Sequence, residues 1–233
     1  MVDALAIIYV PLGAAFFLGI LRDEWRVAGY AVTLLTLAFV SWVAADWLWA
    51  LAANPGRPLE ILTAGANPPF AINLRLGIAE ATTGVLSTIF LKDTLLRLGR
   101  RAMAVLLIFI MAICGIIMTR DIFNLFVFFE LVVIGTAGLV LLSHNEHSLG
   151  AGFKYLIASQ VVSVILLIGI IFNYHVVGSL NIDDLAAQSD LLIKTLPLAF
   201  FLLFIAVLVE LKPFPANGWA LDDEFRVNTE NTG

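Results

Sequence analysis

Seven long apolar runs dominate this sequence of 233 residues and restrict its possible folds more than any other feature. A helix needs about 20 apolar residues to cross the hydrocarbon core of a bilayer. Charged residues make up 13% of the chain, well below the roughly 25% typical of soluble domains. Backbone groups in lipid must be hydrogen-bonded within the protein, and a helix of this length pairs them within its own segment. We therefore predict an all-α, polytopic transmembrane helix bundle of about seven spans, at residues 4–21, 27–51, 78–96, 102–118, 122–142, 151–172 and 191–211.

Composition disfavours several classes of function. The formal net charge is −5 and no basic stripe is available to neutralise phosphates, so nucleic acid is not an expected partner. The single cysteine, Cys114, lies in an apolar run and cannot belong to a disulfide framework. No cysteine or histidine spacing is typical of a metal site, and no phosphate-binding or catalytic motif stands out. We expect no cofactor, no metal and no catalytic site within this chain itself.

Two of the connections between apolar runs are long enough to have structure of their own. In residues 52–77, Phe70, Ile72, Leu74 and Leu76 alternate with other residues, a period of two that predicts a strand in a small hairpin near one membrane face. Residues 173–190 predict a short surface helix with a serine or asparagine as its N-cap. We predict a three-helix segment with the hairpin at 1–101, a segment with a broken last helix at 102–221, and a polar tail at 222–233.

Basic residues near the ends of the spans predict the orientation of the chain in the membrane. With seven spans, one side carries Arg22, Arg26, Arg97, Arg100 and Arg101, and the other carries Arg57, Arg75 and Arg120. Cytoplasmic loops are enriched in lysine and arginine, so the first group is expected on the cytoplasmic side. We therefore predict a multi-pass protein of the inner (cytoplasmic) cell membrane, with its N-terminus outside and its C-terminus in the cytoplasm.

Glu130 is the one charged residue within the run 122–142. An acid at the centre of a spanning helix costs about 2.5 to 3.5 kcal/mol on insertion scales, so such acids are rare and usually functional. Its neighbours three and four positions away are apolar: Phe126, Val127, Val133 and Ile134. Its partner must therefore be another span, water or a proton. Two interpretations follow. In one, the Glu130 carboxyl group relays ions; in the other, it belongs to a static ion pair that only holds helices together.

Lys154 lies about one turn inside the sixth apolar run. A desolvated lysine can change between its charged and neutral forms, which suits a relay base. The alternative is a side chain that extends to the membrane interface. Further along the same run, Ser159, Gln160 and Ser163 are residues that can hold water or form hydrogen bonds to other helices.

The last apolar run ends in VELKPFPANGW, which contains Glu210 and Lys212. Pro213 and Pro215 cannot donate backbone hydrogen bonds, and residues before proline disfavour helical geometry. A helix broken at this point would place the two charges beside free carbonyl groups, as in cavities that conduct ions. The alternative is a helix that ends at the membrane surface.

Three segments resemble one family of membrane proteins. TRDIFNLFVFFELVVIGTAGLVLLS, at 119–143, resembles the glutamate-bearing fifth helix of antiporter-like subunits. These occur in complex I, in group 4 membrane-bound hydrogenases and in Mrp-type multi-subunit cation/proton antiporters, and DIFNLFVFFE is most similar to the Mrp D and hydrogenase branch. FKYLIASQVVSVILLIGI, followed by GSL, resembles the next helix. PFPANGW resembles the motif after the broken seventh helix.

The resemblance implies a fold of two inverted five-helix repeats, of which this chain would hold an incomplete first repeat. It places the fifth-helix glutamate at Glu130 and the sixth-helix lysine at Lys154. Counting back nine positions from Trp219, where the family has its seventh-helix lysine, leads to Glu210, and Lys212 is two positions later. Because the chain ends after the seventh run, we expect either a half-size subunit completed by neighbouring subunits or a truncated product.

The function expected from these observations is proton or sodium translocation within a complex related to complex I, membrane-bound hydrogenase or Mrp antiporters. Glu130, Lys154, Glu210 and Lys212 would form the ion relay. The expected partners are other membrane subunits, including antiporter-like and small Mrp-type ones, and a redox arm if the complex is an oxidoreductase. The alternatives are a scaffold subunit without transport and a stand-alone carrier that works as an oligomer.

Overall fold

A computed structural model describes residues 3–20, 26–53, 59–62, 73–76, 99–141 and 146–210. In chain order, the elements are α1 (Ala6–Ile20), α2 (Arg26–Ala53), β1 (Leu59–Leu62), β2 (Asn73–Leu76), α3 (Arg100–Met118), α4 (Ile122–Leu141), α5 (Glu146–Val177), α6 (Ile182–Ala187), α7 (Ser189–Thr195) and α8 (Pro197–Glu210). The predicted third span, 78–96, and the tail, 222–233, lie outside the described residues.

The described helices confirm a mostly helical membrane bundle. Four are long and apolar enough to cross a membrane: Val27–Ala50 in α2, Arg100–Met118 in α3, Ile122–Leu139 in α4 and Gly152–Val177 in α5. The pair α7 and α8 passes the same test if it is counted as one bent span, and α1 is a shorter apolar helix. The chain is thus a multi-pass membrane protein.

The last apolar run, 191–211, is not the single helix that its composition suggested. It forms α7 and α8, which meet at an angle of 115°. The break lies at Leu196, whose backbone is non-helical (φ −145°, ψ 67°), and α8 begins at Pro197. Proline disfavours helical geometry in the residue before it and favours the first position of a new helix, which explains a break here. The break predicted at Pro213 and Pro215 lies outside the described residues.

The chain divides into two compact units, Met1–Arg120 and Asp121–Gly233. In the first unit α1 packs against α2 and α3, and α2 also packs against α3. The Arg100 guanidinium, at the start of α3, donates to the carbonyl oxygens of Leu18 and Gly19 in the last turn of α1. A cation there satisfies carbonyl groups that have no partner within their own helix. β1 and β2 form an antiparallel pair in which Leu59 faces Leu76 and Leu62 faces Asn73.

In the second unit α5 is the central helix, because both α4 and α8 pack against it. Where α5 crosses α8, a Cβ atom added to Gly169 would lie 2.9 Å from the backbone nitrogen of Leu203 and 3.1 Å from its Cα. The buried Asn173 amide donates to the Gly169 carbonyl at 2.7 Å and to the Ala199 carbonyl at 3.2 Å. A small residue and a buried amide thus let the two backbones approach closely, as is usual between membrane helices.

The loop that follows α5 is fastened to the start of α4. The Ile122 amide donates to the Leu180 carbonyl at 2.9 Å, and Asp121 forms a bridge with Asn181. Asn181 is the N-cap of α6, and its side chain accepts from the Asp183 amide at 2.8 Å. The short helix predicted between 173 and 190 is therefore present, and of the two predicted types of N-cap, serine and asparagine, it has the asparagine.

Replacing Gly169 by alanine is expected to destabilise the second unit. The new methyl group would contact the Leu203 backbone, which cannot move aside as a flexible side chain would, and overpacking of this kind costs about 1 to 3 kcal/mol. Gly150→Ala is the matched control on the same helix, since a Cβ there meets nothing within 4 Å. Thermal unfolding in detergent should show a lower midpoint for Gly169→Ala, and equal midpoints for the two variants would contradict the close crossing.

Asp121 is expected to make the stability of the second unit depend on pH. Its carboxylate accepts from the Asn124 amide at 2.8 Å and caps α4, yet burial raises the pKa of Asp121 above its ordinary 3.8. The folded state therefore binds the proton more tightly than the unfolded state does. The stabilisation from the protonated form is lost as pH rises from about 4 through the raised pKa.

Asp121→Asn keeps the cap and removes this titration. Relative to the natural protein, its unfolding midpoint should rise as pH increases through that window. Asp121→Ala should lose about 0.5 to 2 kcal/mol of capping energy at every pH. Asp190→Asn, at an exposed acid in the first turn of α7, is the control. A stability difference for Asp121→Asn that does not change with pH would exclude the buried titration.

Candidate ion-relay site on helices α4 and α5

Glu130 lies in the middle of α4 and its side chain is half-buried. Phe123, Val127 and Ile134 lie on the same side of α4 as Glu130, and their side chains are exposed. The adjacent Val133 is fully buried. The carboxylate is therefore on an otherwise apolar side of α4. As the sequence indicated, nothing on its own helix can pair with it.

The partner of Glu130 comes from α5. The Gln160 side chain donates from Nε2 to Glu130 Oε2 at 2.8 Å. This distance is normal for a hydrogen bond to a charged acceptor. Hydrogen bonds to charged groups contribute about 1.5 to 3 kcal/mol, so the contact offsets part of the cost of placing an acid between apolar helices.

One oxygen of the acid has no hydrogen-bond partner among the described residues. Glu130 Oε1 is buried and forms no hydrogen bond with the described residues, and the same holds for the hydroxyl of Ser159. A buried polar atom without a partner costs about 1 to 3 kcal/mol, so native proteins usually give such atoms a partner or a function. One such atom in the described part of the chain thus belongs to Glu130, and another belongs to Ser159, the residue adjacent to Gln160.

The faces of α5 separate its polar residues into two groups. Ser159 and Ser163, one turn apart, are 2% and 5% exposed and belong to the buried face. Phe153, Lys154 and Ile157 are exposed. Gln160 is six positions after Lys154, which is about 240° around a helix.

The predicted relay residues are therefore only partly brought together. Glu130 and Lys154 are both described, and they form no ion pair with each other. Glu210 is the last residue of α8, but its side chain lies outside the described part of the chain, as does all of Lys212. The relay roles of all four residues stay predictions.

Gln160 is the functional neighbour that the sequence indicated least directly. Gln160 lies near two serines in an apolar run, and this polar group indicated hydrogen bonds to another helix. Nothing in the sequence indicated that the amide, rather than a hydroxyl, would bind Glu130. Asn173 gave a similar signal, a lone amide within an apolar helix. Its contact with Gly169 lies within α5, whereas its contact with Ala199 depends on α8, more than twenty residues further along the chain.

With the site described, its relatives can be compared. Residues 119–226, which begin just before α4, match the family model described as NADH:quinone oxidoreductase/Mrp antiporter, TM. The resemblance to antiporter-like membrane subunits is confirmed. The D-type subunit of the Na(+)/H(+) antiporter of Alkalihalophilus pseudofirmus is 32% identical over 107 residues, which are 45% of this chain and 22% of that protein. The N-type subunit of the NADH-quinone oxidoreductase of Desulforudis audaxviator is 28% identical over 180 residues, which are 72% of this chain and 36% of that protein.

A solved structure extends the similarity to nearly the whole chain. A chain of the membrane-bound sulfane sulfur reductase, an archaeal respiratory membrane complex, aligns with a TM-score of 0.81 and 27% identity. The alignment covers 94% of this chain and 47% of that chain. The present chain thus spans less than half the length of each of these relatives.

A double-mutant cycle should separate the two predicted partners of Glu130. Residues in direct contact typically couple by about 0.5 to 3 kcal/mol, whereas residues without contact are additive within about 0.3 to 0.5 kcal/mol. We expect coupling between Glu130→Gln and Gln160→Met, and additivity between Glu130→Gln and Lys154→Met. The measurement is the free energy of unfolding in detergent. Coupling to Lys154 with none to Gln160 would contradict the site as described.

Proposed function

We propose that this chain is a membrane subunit that takes part in proton or sodium translocation, within a complex related to complex I, membrane-bound hydrogenase or Mrp antiporters. Glu130 would be the acid that carries the ion. One observation supports this most directly: the half-buried carboxylate is held through one oxygen by Gln160, while its other oxygen is buried without a partner among the described residues. An acid that only fastened two helices together would gain stability from pairing both oxygens.

The relatives support the same class of function. One is named as part of a Na(+)/H(+) antiporter, one as part of NADH-quinone oxidoreductase, and one belongs to a respiratory membrane complex. The matched region includes α4 and α5, the two helices that form the site.

The other relay residues would act on Glu130, Lys212 by pairing with it. Lys212, with Glu210 near it in sequence, would change the ease with which Glu130 takes up a proton. Unit charges about 4 Å apart interact by about 4 kcal/mol at an effective dielectric of 20, enough to decide whether an acid is ionised. Lys154, which is exposed, would exchange protons with Glu130 only through water or through another protein of the complex.

The proposed partners are other membrane subunits, both antiporter-like and small Mrp-type ones, with a redox arm where the complex is an oxidoreductase. The proposed location is the cell membrane, with the N-terminus outside. The contact of Arg100 with the last turn of α1 supports this orientation, because it brings the basic start of α3 to the same end of the first unit as the end of α1. Basic residues concentrated at one end are expected on the cytoplasmic side.

Glu130→Gln is expected to abolish ion movement and to leave assembly intact. The amide is isosteric with the acid but cannot take up and release a proton or hold a cation by charge. The measurement is proton movement by the purified complex in vesicles, followed with a pH-sensitive dye, after co-purification has shown that its subunits are present. Asp190→Asn, an exposed acid outside the site, is the matched control and should transport normally.

A non-transporting scaffold is the second candidate function. The separation of Lys154 from Glu130 favours it, because the two predicted relay groups that are both described do not pair. A scaffold predicts that Glu130→Gln transports as well as the natural protein, while Gly169→Ala, at the contact of α5 with α8, disrupts assembly. Normal transport by Glu130→Gln would therefore exclude the relay function and support the scaffold function.

A further inference from the structure

We propose that Asn173 and Gly169 are positioning residues that hold α8 at one depth along α5 and so place Glu210 inside the bundle. This role rests on the proposed function, since Glu210 is one of the predicted relay residues. Two contacts between α5 and α8 support it. The Asn173 amide donates to the Ala199 carbonyl at 3.2 Å, and a Cβ atom added to Gly169 would lie 2.9 Å from the backbone nitrogen of Leu203.

The two contacts define one antiparallel register between the helices. From the first contact to the second, α5 moves back by four residues while α8 advances by four. Because both helices rise about 1.5 Å per residue, the same pairing continues along them. Three residues further on, it pairs Leu166 with Ala206, which are 3% and 1% exposed. Their burial agrees with a third contact in the same register.

The next level of this register is the end of α8. It pairs Val162 of α5 with Glu210, the last residue of α8. From Ala199, the steps to Leu203, Ala206 and Glu210 are four, three and four residues, which is the spacing of a single helix face. The backbone of Glu210 therefore lies on the face of α8 that packs against α5.

This level is close to the contact between α5 and α4. Gln160, which donates to Glu130, is two positions from Val162, or about 3 Å along the helix axis. Ser163, which is 5% exposed, is one position from Val162. The last turn of α8 thus ends at the depth of the polar residues of α5. An acid at that depth requires a polar group of another helix, water or a proton.

Asn173 supplies the directional contact that fixes this depth. It is 1% exposed, and the Ala199 carbonyl that it binds lies in the first turn of α8, directly after the break at Leu196. Apolar packing is not directional and constrains sliding along the axis weakly, whereas a hydrogen bond has one partner. A slip of one turn would move Glu210 by about 5.4 Å and change its neighbours on α5.

Cysteine cross-linking of the purified complex tests the register. In a Cys114→Ala background, Leu166→Cys with Ala206→Cys, and Val162→Cys with Glu210→Cys, should form disulfides when copper phenanthroline is the oxidant. Val162→Cys with Ala206→Cys is the matched control, one turn out of register. Disulfides join Cα atoms about 4.4 to 6.8 Å apart, so the control pair should react about tenfold more slowly or less. A control pair that reacts as fast as the matched pairs, or matched pairs that do not react, would overturn the inference.

Substitution of Asn173 tests its part in holding α8. Asn173→Leu keeps the size of the side chain without its hydrogen bonds, so cross-linking of Leu166→Cys with Ala206→Cys should slow by about two- to tenfold, the range for one lost hydrogen bond. Asn173→Ser should act alike, because a serine hydroxyl binds a carbonyl of its own helix and is too short to reach Ala199. Thr33→Val, which removes a buried hydrogen bond within α2, is the control and should leave the rate unchanged. Unchanged cross-linking in both Asn173 variants would remove Asn173 from the proposed role.

The pH dependence of proton movement in vesicles separates positioning from general support of the fold. Within one turn of this level, the ionisable side chain on the described parts of α4 and α5 is Glu130. If Asn173 acts through Glu210, then Asn173→Leu changes the distance between the two acids. The pH of half-maximal transport should then shift by about 0.3 to 1 unit, the equivalent of a two- to tenfold change. An unshifted profile with a lower rate would make Asn173 a structural residue and overturn the inference.

Failure of this inference and failure of the proposed function are distinguishable. Cross-linking out of register would overturn the positioning role, even if Glu130→Gln abolishes transport. Normal transport by Glu130→Gln would instead defeat the proposed function and would leave the cross-linking pattern unchanged.

Discussion

The hydrogen bond from Gln160 to Glu130 joins two apolar helices at the level where a carboxylate has no polar neighbour on its own helix. In a membrane bundle an acid must be satisfied by another helix, by water or by a proton, because lipid offers no donor. This contact lies on the side of α4 that faces α5. It also leaves one carboxylate oxygen open, and the chemistry proposed for the site depends on that oxygen.

Elsewhere along α5, polar groups between helices are also satisfied by contacts with a neighbouring helix. Toward its C-terminal end, the Asn173 amide joins α5 to α8 through the Ala199 carbonyl, and Gly169 lets the backbones meet. In its first half, Gln160 joins α5 to α4. The central helix is thus attached to both neighbours by amide side chains, and apolar packing fills the space around these contacts. An amide suits this role because it offers donors and an acceptor without carrying a charge into the membrane.

Several features were predictable from residues alone. The spans of α3, α4 and α5 were expected at 102–118, 122–142 and 151–172, and they lie within a few residues of those limits except at the two ends of α5, which extends about five residues further each way. Glu130 could be chosen because a lone acid in an apolar run has few explanations. The break at Leu196 was not predicted, because Pro197 stands within an apolar run whose total length suits one span.

Sequence by itself determined that this chain is a bundle of membrane helices with an acid inside one of them, because insertion depends on the length and polarity of each segment taken separately. It also indicated which residues on α5 were polar enough to cross to another helix. Only the tertiary structure decided that Gln160, and not Lys154, meets the carboxylate, and that the last apolar run bends by 115°. These outcomes depend on the rotation of each helix about its axis and on the close approach of backbones. Both are fixed by packing between segments that are distant in sequence.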